Sequence, residues 1–191
     1  MITRTGRRRT AAGVLALAAI FALAGCTSED TPPVASPSQT AKPTAPASYS
    51  DPSAAAEQQA VAAYNGYIQT YALASQAADP DDRNLARYVA DPLLSQTRRN
   101  IRNLKDIGAV QVGAQKASVV RSEVDLSAKP PSITIYSCLD FSEMKVVYKS
   151  NQSPIPGFSI SKTKAPAVVT VWQYETGQWL VNATKEGSHS C

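Results

Sequence analysis

The spacing of hydrophobic residues changes once along this chain, near Gly108, and that change constrains the fold more than any other feature. Before Gly108, apolar side chains recur every three or four residues, as on one face of a helix. After Gly108, apolar and polar side chains alternate, as in strands that bury one face. The order predicts an α+β domain in which N-terminal helices pack on a curved antiparallel sheet.

Three Asp-Pro pairs are predicted to mark helix starts, at Asp51-Pro52, Asp79-Pro80 and Asp91-Pro92. Aspartate favours the N-cap, and proline suits the first helical position. The first helix is expected to carry an aromatic stripe and the third to end at Gly108. The stripe consists of Val61, Tyr64, Tyr67, Ile68, Tyr71 and Ser75.

Four segments after Gly108 are predicted to be strands. "VQVGAQKASVVRSEVDLS" is interrupted near Gly113, and "AVVTVWQYETGQWLVNAT" reads as a hairpin around residues 175–177. "SITIYSCLDF" places alternate residues on one face, and "SNQSPIPGFSISKTKAP" is a loop. That face consists of Ile133, Ile135, Ser137, Leu139 and Phe141.

The N-terminus has the pattern of an export sequence. Four arginines precede an uncharged apolar run, Ala11 to Gly25, that is shorter than the roughly 20 residues a membrane-spanning helix needs. Leu23-Ala24-Gly25-Cys26 resembles the lipobox of bacterial lipoproteins, which implies that Cys26 is lipidated and becomes the first residue after cleavage. The alternatives are an ordinary signal peptide with an incidental cysteine, or an uncleaved anchor.

Three regions follow from this pattern: a lipoprotein signal peptide at 1–25, a Ser/Thr/Pro-rich disordered linker at 26–52 that begins with Cys26, and a folded domain at 53–191. The linker can span roughly 28 Å as a flexible coil. The whole chain has 19 basic and 15 acidic residues, but removing residues 1–25 removes four arginines and leaves 15 of each. A balanced charge offers no support for nucleic-acid binding.

The folded region resembles two groups of proteins. Helices before a curved sheet that ends in a hairpin with "GQWLV" are similar to the NTF2-like (SnoaL-like) cone fold. "YSCLDFSEMKVVYKS", the Pro/Gly loop and "GQWLVNATKEGSHSC" resemble a group of actinobacterial secreted lipoproteins of unassigned function. The resemblance covers roughly residues 60–191, and it implies a concave sheet whose pocket binds a small ligand or performs acid-base chemistry.

Two cysteines, Cys138 and Cys191, remain once Cys26 is lipidated. In an exported protein they are expected to form a disulfide bond, with a catalytic thiol or a metal-binding pair as the alternatives. The single histidine, His189, is expected to be an exposed residue of the C-terminal tail. We therefore expect no metal and no cofactor, because neither alternative has enough partner residues.

The candidate pocket has aromatic residues and one carboxylate around it. It comprises Tyr67, Tyr71, Tyr136, Asp140 and Trp172, although rings at such spacing also suit a packed core. Together, the lipobox and this candidate pocket predict a binding module on the extracytoplasmic face of the cell membrane. The lipid on Cys26 would hold it there while it binds a small ligand or an envelope protein.

Two alternatives to this module remain open, and we expect no catalysis from the residues present. One is an enzyme with an acid-base site near Asp140 and the pocket tyrosines, and the other is a purely structural envelope protein. A basic face on the third helix is expected to be solvated, with contact to anionic lipid or wall polymer as the alternative. The basic face consists of Arg98, Arg99, Arg102 and Lys105.

Overall fold

The computed structural model describes residues 51–160 and 163–191, so the predicted signal peptide, Cys26 and nearly all of the predicted linker lie outside the described residues. The described part is an α+β domain. Its helices are α1 (Pro52–Ala77), α2 (Leu93–Asp106) and a short 3₁₀ helix (Leu85–Arg87). Its strands are β1 (Ala109–Val112), β2 (Lys116–Asp125), β3 (Ser132–Asp140), β4 (Lys145–Tyr148), β5 (Lys164–Gln173) and β6 (Trp179–Glu186).

Helix α1 begins at the first Asp-Pro pair, as predicted. The backbone N–H of Ser53 donates to Asp51 Oδ1 at 2.9 Å, and Pro52 occupies the first helical position. Alanines, the best helix formers, fill much of the sequence that follows. The helix ends where Ala78 adopts a left-handed conformation and the N–H of Asp79 donates to Ala74 O at 2.9 Å.

The second Asp-Pro pair differs from the prediction, whereas the third starts a helix as predicted, with Pro92 rather than Asp91 at the N-cap. Asp79 Oδ1 accepts the N–H of Asp81 at 3.0 Å, and this local turn replaces the expected second helix, leaving the 3₁₀ helix Leu85–Arg87. Helix α2 begins after the third pair, and Asp91 Oδ1 accepts the N–H of Ser95 at 3.0 Å. It ends before Gly108, whose φ of 68° suits glycine, so the predicted stop is confirmed.

The strands form two antiparallel sheets. The larger has the order β2-β3-β5-β6, and the smaller pairs β1 with β4. Strand β4 was not predicted, whereas the other predicted strands are present with the interruption near Gly113. Register shifts leave Val120 of β2 and Asn182 of β6 without a cross-strand partner, and such β-bulges bend the strands that carry them.

The core lies between α1 and the inner face of the larger sheet. Small side chains of α1 at Ala56, Ala60 and Ala63 are buried there beside the ring of Tyr64. The phenol oxygen of Tyr64 lies 2.8 Å from Ser137 Oγ, which ties α1 to β3. The sheet contributes Ile133, Ile135, Val169, Val171 and Val181, all fully buried. Side chains therefore fill the space between helix and sheet.

Candidate functional site

Tyr67 is buried in the core on the α1 side of the larger sheet, and Tyr71 beside it is partly buried. Their ring centroids are 6.1 Å apart, and the Tyr67 hydroxyl lies 3.3 Å from Thr97 Oγ1 on α2. Burial raises the pKa of Tyr67 to about 12, while the hydrogen bond to Thr97 partly offsets the effect of burial. With 9% of its surface exposed, Tyr67 is part of the packed core.

Tyr136 and Trp172 lie on the opposite, outer face of the sheet. Successive residues of a strand point to opposite faces, and β3 directs Ile133, Ile135 and Ser137 inward. Tyr136 therefore points outward, as does Trp172 beside the inward-facing Val171 of β5. The prediction that these residues share one pocket with Tyr67 and Tyr71 was wrong, because the sheet itself separates the two sets.

Asp140 is the last residue of β3 and caps the turn that follows. The side chain and the backbone N–H of Ser142 hydrogen-bond its carboxylate, and Lys164 Nζ lies 4.0 Å away. These bonds to Ser142, followed by the charges of Lys164 and Lys116, lower the pKa of Asp140. A carboxylate stabilised in its ionised form is poorly suited to share a proton in the acid-base centre that the enzyme alternative assigns to it.

An aromatic and charged cluster occupies the outer face where β2 pairs with β3. The guanidinium carbon of Arg121 lies 3.4 Å from the centroid of the Tyr136 ring, a stacking geometry for a cation on an aromatic face. The Tyr136 hydroxyl donates to Glu123 Oε2 at 3.2 Å, and Glu123 also pairs with Arg121. The bond from Arg121, then the one from Tyr136, lowers the pKa of Glu123. The three side chains hold one another in place on the surface.

The C-terminal tail is fixed beside this cluster by the bond between Cys138 and Cys191. Their Cα atoms are 5.7 Å apart, and the predicted disulfide is confirmed. The bond joins the chain end to β3, within the larger sheet. The tail therefore has a defined position on the outer face.

His189 does not occupy the exposed position that the sequence suggested. The ring is partly buried, its Nε2 lies 3.0 Å from Ser137 O, and its edge meets the Tyr136 ring at 5.8 Å between centroids. Gly187 leaves room for it, because a Cβ there would meet the His189 ring at 2.8 Å. The alternation of β3 predicts from the sequence that Tyr136 and Cys138 share one face. The sequence alone does not predict that the tail returns to that face.

A shallow depression lies next to Tyr136 and the tail. It is open to solvent and encloses about 540 Å³. Its walls are Tyr136, Val168, Lys185, Glu186, Gly187 and Ser188. A hydrophobic side chain, an aromatic ring and charges of both signs therefore surround one concavity on the outer face.

The basic face predicted for the third helix lies on α2. On α2, Arg99, Arg102 and Lys105 are exposed, and Arg102 Nη2 lies 3.8 Å from Asp81 Oδ1. The predicted basic face is thus present at three of its four residues, with Arg102 close to an acid, whereas Arg98 is half-buried. Within residues 51–160 and 163–191, every helix is too short or too polar to cross a bilayer.

No protein-family model and no curated protein matches this sequence. The chain is similar to the crystal structure of the intermembrane space region of the chloroplast protein ARC6, with 11% sequence identity and a TM-score of 0.43. The match covers 70% of this chain and 95% of that chain. A likeness at this level carries no functional argument.

Proposed function

We propose that the chain is a lipid-anchored module of the extracytoplasmic face of the cell membrane. The observation that carries the proposal is Leu23-Ala24-Gly25-Cys26 at the end of an apolar run, followed at once by a Ser/Thr/Pro-rich segment. The disulfide between Cys138 and Cys191 supports it, because such bonds persist in oxidising compartments outside the cytoplasm.

The lipid anchor is tested by Cys26→Ser in the full-length chain, expressed in a bacterial host with a labelled fatty-acid analogue. The parent is expected to incorporate the label and to be processed to its mature size. The variant is expected to lose both, because serine offers no thiol for the diacylglyceryl group. Ser28→Ala is the matched control and should be labelled like the parent. Full labelling of Cys26→Ser would overturn the assignment.

For the fold of the anchored domain, we propose the NTF2-like cone as the finer description. Two helices precede an antiparallel sheet, the long α1 contacts the sheet through small and aromatic side chains, and two bulges bend β2 and β6. The filled interior distinguishes this domain from a cone with an internal pocket. Recognition would therefore use the outer surface.

We infer that the anchored module binds an envelope protein through the depression beside Tyr136. Sites for small molecules enclose most of their ligand, whereas this concavity is shallow and open. An aromatic ring held by Arg121 and Glu123 loses little conformational entropy on contact, and Tyr and Arg are enriched among the residues that dominate protein interfaces. Tethering would add high local concentration even to a weak contact.

The docking surface is tested by placing a photo-crosslinking amino acid at one exposed site per variant of the anchored protein. A probe at Lys185, in the wall of the depression, is expected to give a discrete protein adduct, and a probe at Arg99 on α2 is not. Tyr136→Ala should remove the adduct at Lys185, because the ring forms part of the contact surface.

Trp172→Ala is the matched aromatic control for this experiment. It removes another ring from the outer face but one that is not part of the wall of the depression, so the adduct should persist. Equal adducts from Lys185 and Arg99, or an adduct that survives Tyr136→Ala, would contradict the docking surface. The filled interior would then favour the second candidate, a purely structural envelope protein.

A further inference from the structure

The tail brings the single histidine of the chain to the two bridging cysteines. One ring nitrogen of His189 and the Sγ atoms of Cys138 and Cys191 all lie within 4.8 Å of one another. While the cysteines are joined, their lone pairs belong to a disulfide and the group cannot act as a dithiolate. Reduction would release two thiols beside an imidazole, which is a different chemical site.

One nitrogen of the imidazole is hydrogen-bonded to a backbone carbonyl, as in many metal-bound histidines. Its Nε2 faces the carbonyl oxygen of Ser137 at 3.0 Å, and because a carbonyl only accepts, Nε2 carries the hydrogen. Nδ1 then keeps its lone pair. In the described part of the chain this Nδ1 is buried and has no hydrogen-bond partner. Metal-bound histidines usually donate their other ring N–H to a carbonyl or carboxylate in this way.

The ring and one sulfur are held by the body of the domain. Cys138 lies within β3, paired with Ser118 of β2 and Pro166 of β5, so its position is set by the sheet. His189 is held by Ser137 O, by the edge contact with Tyr136 and by the space that Gly187 leaves. Cys191 is exposed, and coordination would require its sulfur to move away from that of Cys138 once the S–S bond is broken.

We propose that Cys138, Cys191 and His189 form a Zn²⁺ site when the disulfide is reduced. Two thiolates and a neutral imidazole match the ligands of tetrahedral zinc, with Zn–S near 2.3 Å and Zn–N near 2.0 Å, and a water completes the fourth position. The metal would replace the disulfide as the link between β3 and the tail. This site does not depend on the lipid anchor or on the docking surface.

A dithiol reductant can reduce the bond between Cys138 and Cys191. One thiolate of the reductant attacks the exposed sulfur of Cys191, the S–S bond breaks, and a mixed disulfide forms. The second thiol of the reductant resolves it, so the reductant leaves as a disulfide and the protein gains two electrons and two protons as two thiols. Zn²⁺ then displaces both thiol protons when it binds.

The site is tested with Co²⁺, a spectroscopic substitute for Zn²⁺, in the full-length chain carrying Cys26→Ser to remove the third thiol. After reduction and removal of the reductant, Co²⁺ is expected to give the visible bands of a tetrahedral ion and a thiolate charge-transfer band. Zn²⁺ should displace it. The oxidised protein should give neither band, because the sulfurs are bonded to each other.

Two variants test whether His189 is a ligand of the metal ion. His189→Ala is expected to weaken Co²⁺ binding by about tenfold or more and to alter the tetrahedral bands, while His189→Cys should keep them and intensify the charge-transfer band. Ser188→Ala, an exposed neighbour, should match the parent. Absence of a thiolate band in the reduced parent, or equal spectra and affinity in His189→Ala and the parent, would overturn the proposal.

Discussion

Replacing both bridging cysteines, Cys138→Ala together with Cys191→Ala, is expected to lower the free energy of unfolding by about 4 kcal/mol. The bond joins residues separated by 53 positions, and in the chain-entropy model a closed loop of that length strongly restricts the unfolded ensemble. The folded domain should persist, because β6 ends at Glu186 and only the short tail beyond it depends on the bond. Its core contacts lie elsewhere, between α1 and the inner face of the sheet.

Urea unfolding followed by the fluorescence of the buried Trp179 would measure this loss. Ser190→Ala, an exposed neighbour in the tail, should change the stability by less than about 0.5 kcal/mol. A loss below about 1 kcal/mol in the double variant would show that the tail bond does not constrain the unfolded chain as the model requires.

The sequence predicted those parts of the fold that are determined locally. The cap of Asp51 on Ser53 and the alanine-rich run after it are short-range features, and α1 begins and continues as they indicate. The inward set Ile133, Ile135 and Ser137 follows from strand alternation, which depends on the backbone pleat alone. Both patterns are repeated over enough residues to be unambiguous.

Other features depend on partners far away in the chain and could not be predicted in this way. Strand β4 has four residues and exists because it pairs with β1, so its own sequence carries little periodicity. The carboxylates of Asp79 and Asp82 accept hydrogen bonds from backbone N–H groups two residues further on. These local turns form in place of the expected helix.

The candidate site also depends on contacts between residues that are distant in the chain. The sequence makes Tyr67 and Tyr71 of α1 candidates for a ligand pocket, with a packed core as the alternative, and burial places Tyr67 in the core. Strand parity alone would have placed Tyr136 and Trp172 on the other face, away from Tyr67. The position of His189 needed the fold, because Ser137 and Gly187 orient its ring only after the tail has returned to β3.

Raising the pH above 10 is expected to destabilise the domain through its buried tyrosines, Tyr67 above all. In the unfolded chain the Tyr67 phenol ionises with its ordinary pKa of 10.0, whereas burial raises the pKa in the folded domain to about 12. Below pH 10 the phenol is protonated in both states, and its contribution to stability is fully present. As the pH rises, the unfolded state releases its proton first, so this contribution is lost progressively up to about pH 12.

The loss assigned to Tyr67 is about 1 kcal/mol between pH 9 and pH 11 and reaches about 2–3 kcal/mol once the folded phenol also ionises. Tyr64 and Tyr71 act in the same direction, since burial raises the pKa of both. Urea unfolding at a series of pH values measures the total, and the absorbance of phenolate in the folded protein shows which rings resist ionisation.

Tyr67→Phe isolates the contribution of one ring, because it removes the ionisable hydroxyl and keeps the aromatic body in place. The variant should be less stable at neutral pH by roughly 1 kcal/mol, since Thr97 loses its hydrogen-bond partner, 3.3 Å away in the parent. Above pH 10 its stability should fall less steeply than that of the parent. Parallel stability curves for the two proteins between pH 9 and pH 11 would contradict the burial of an un-ionised Tyr67 phenol in the core.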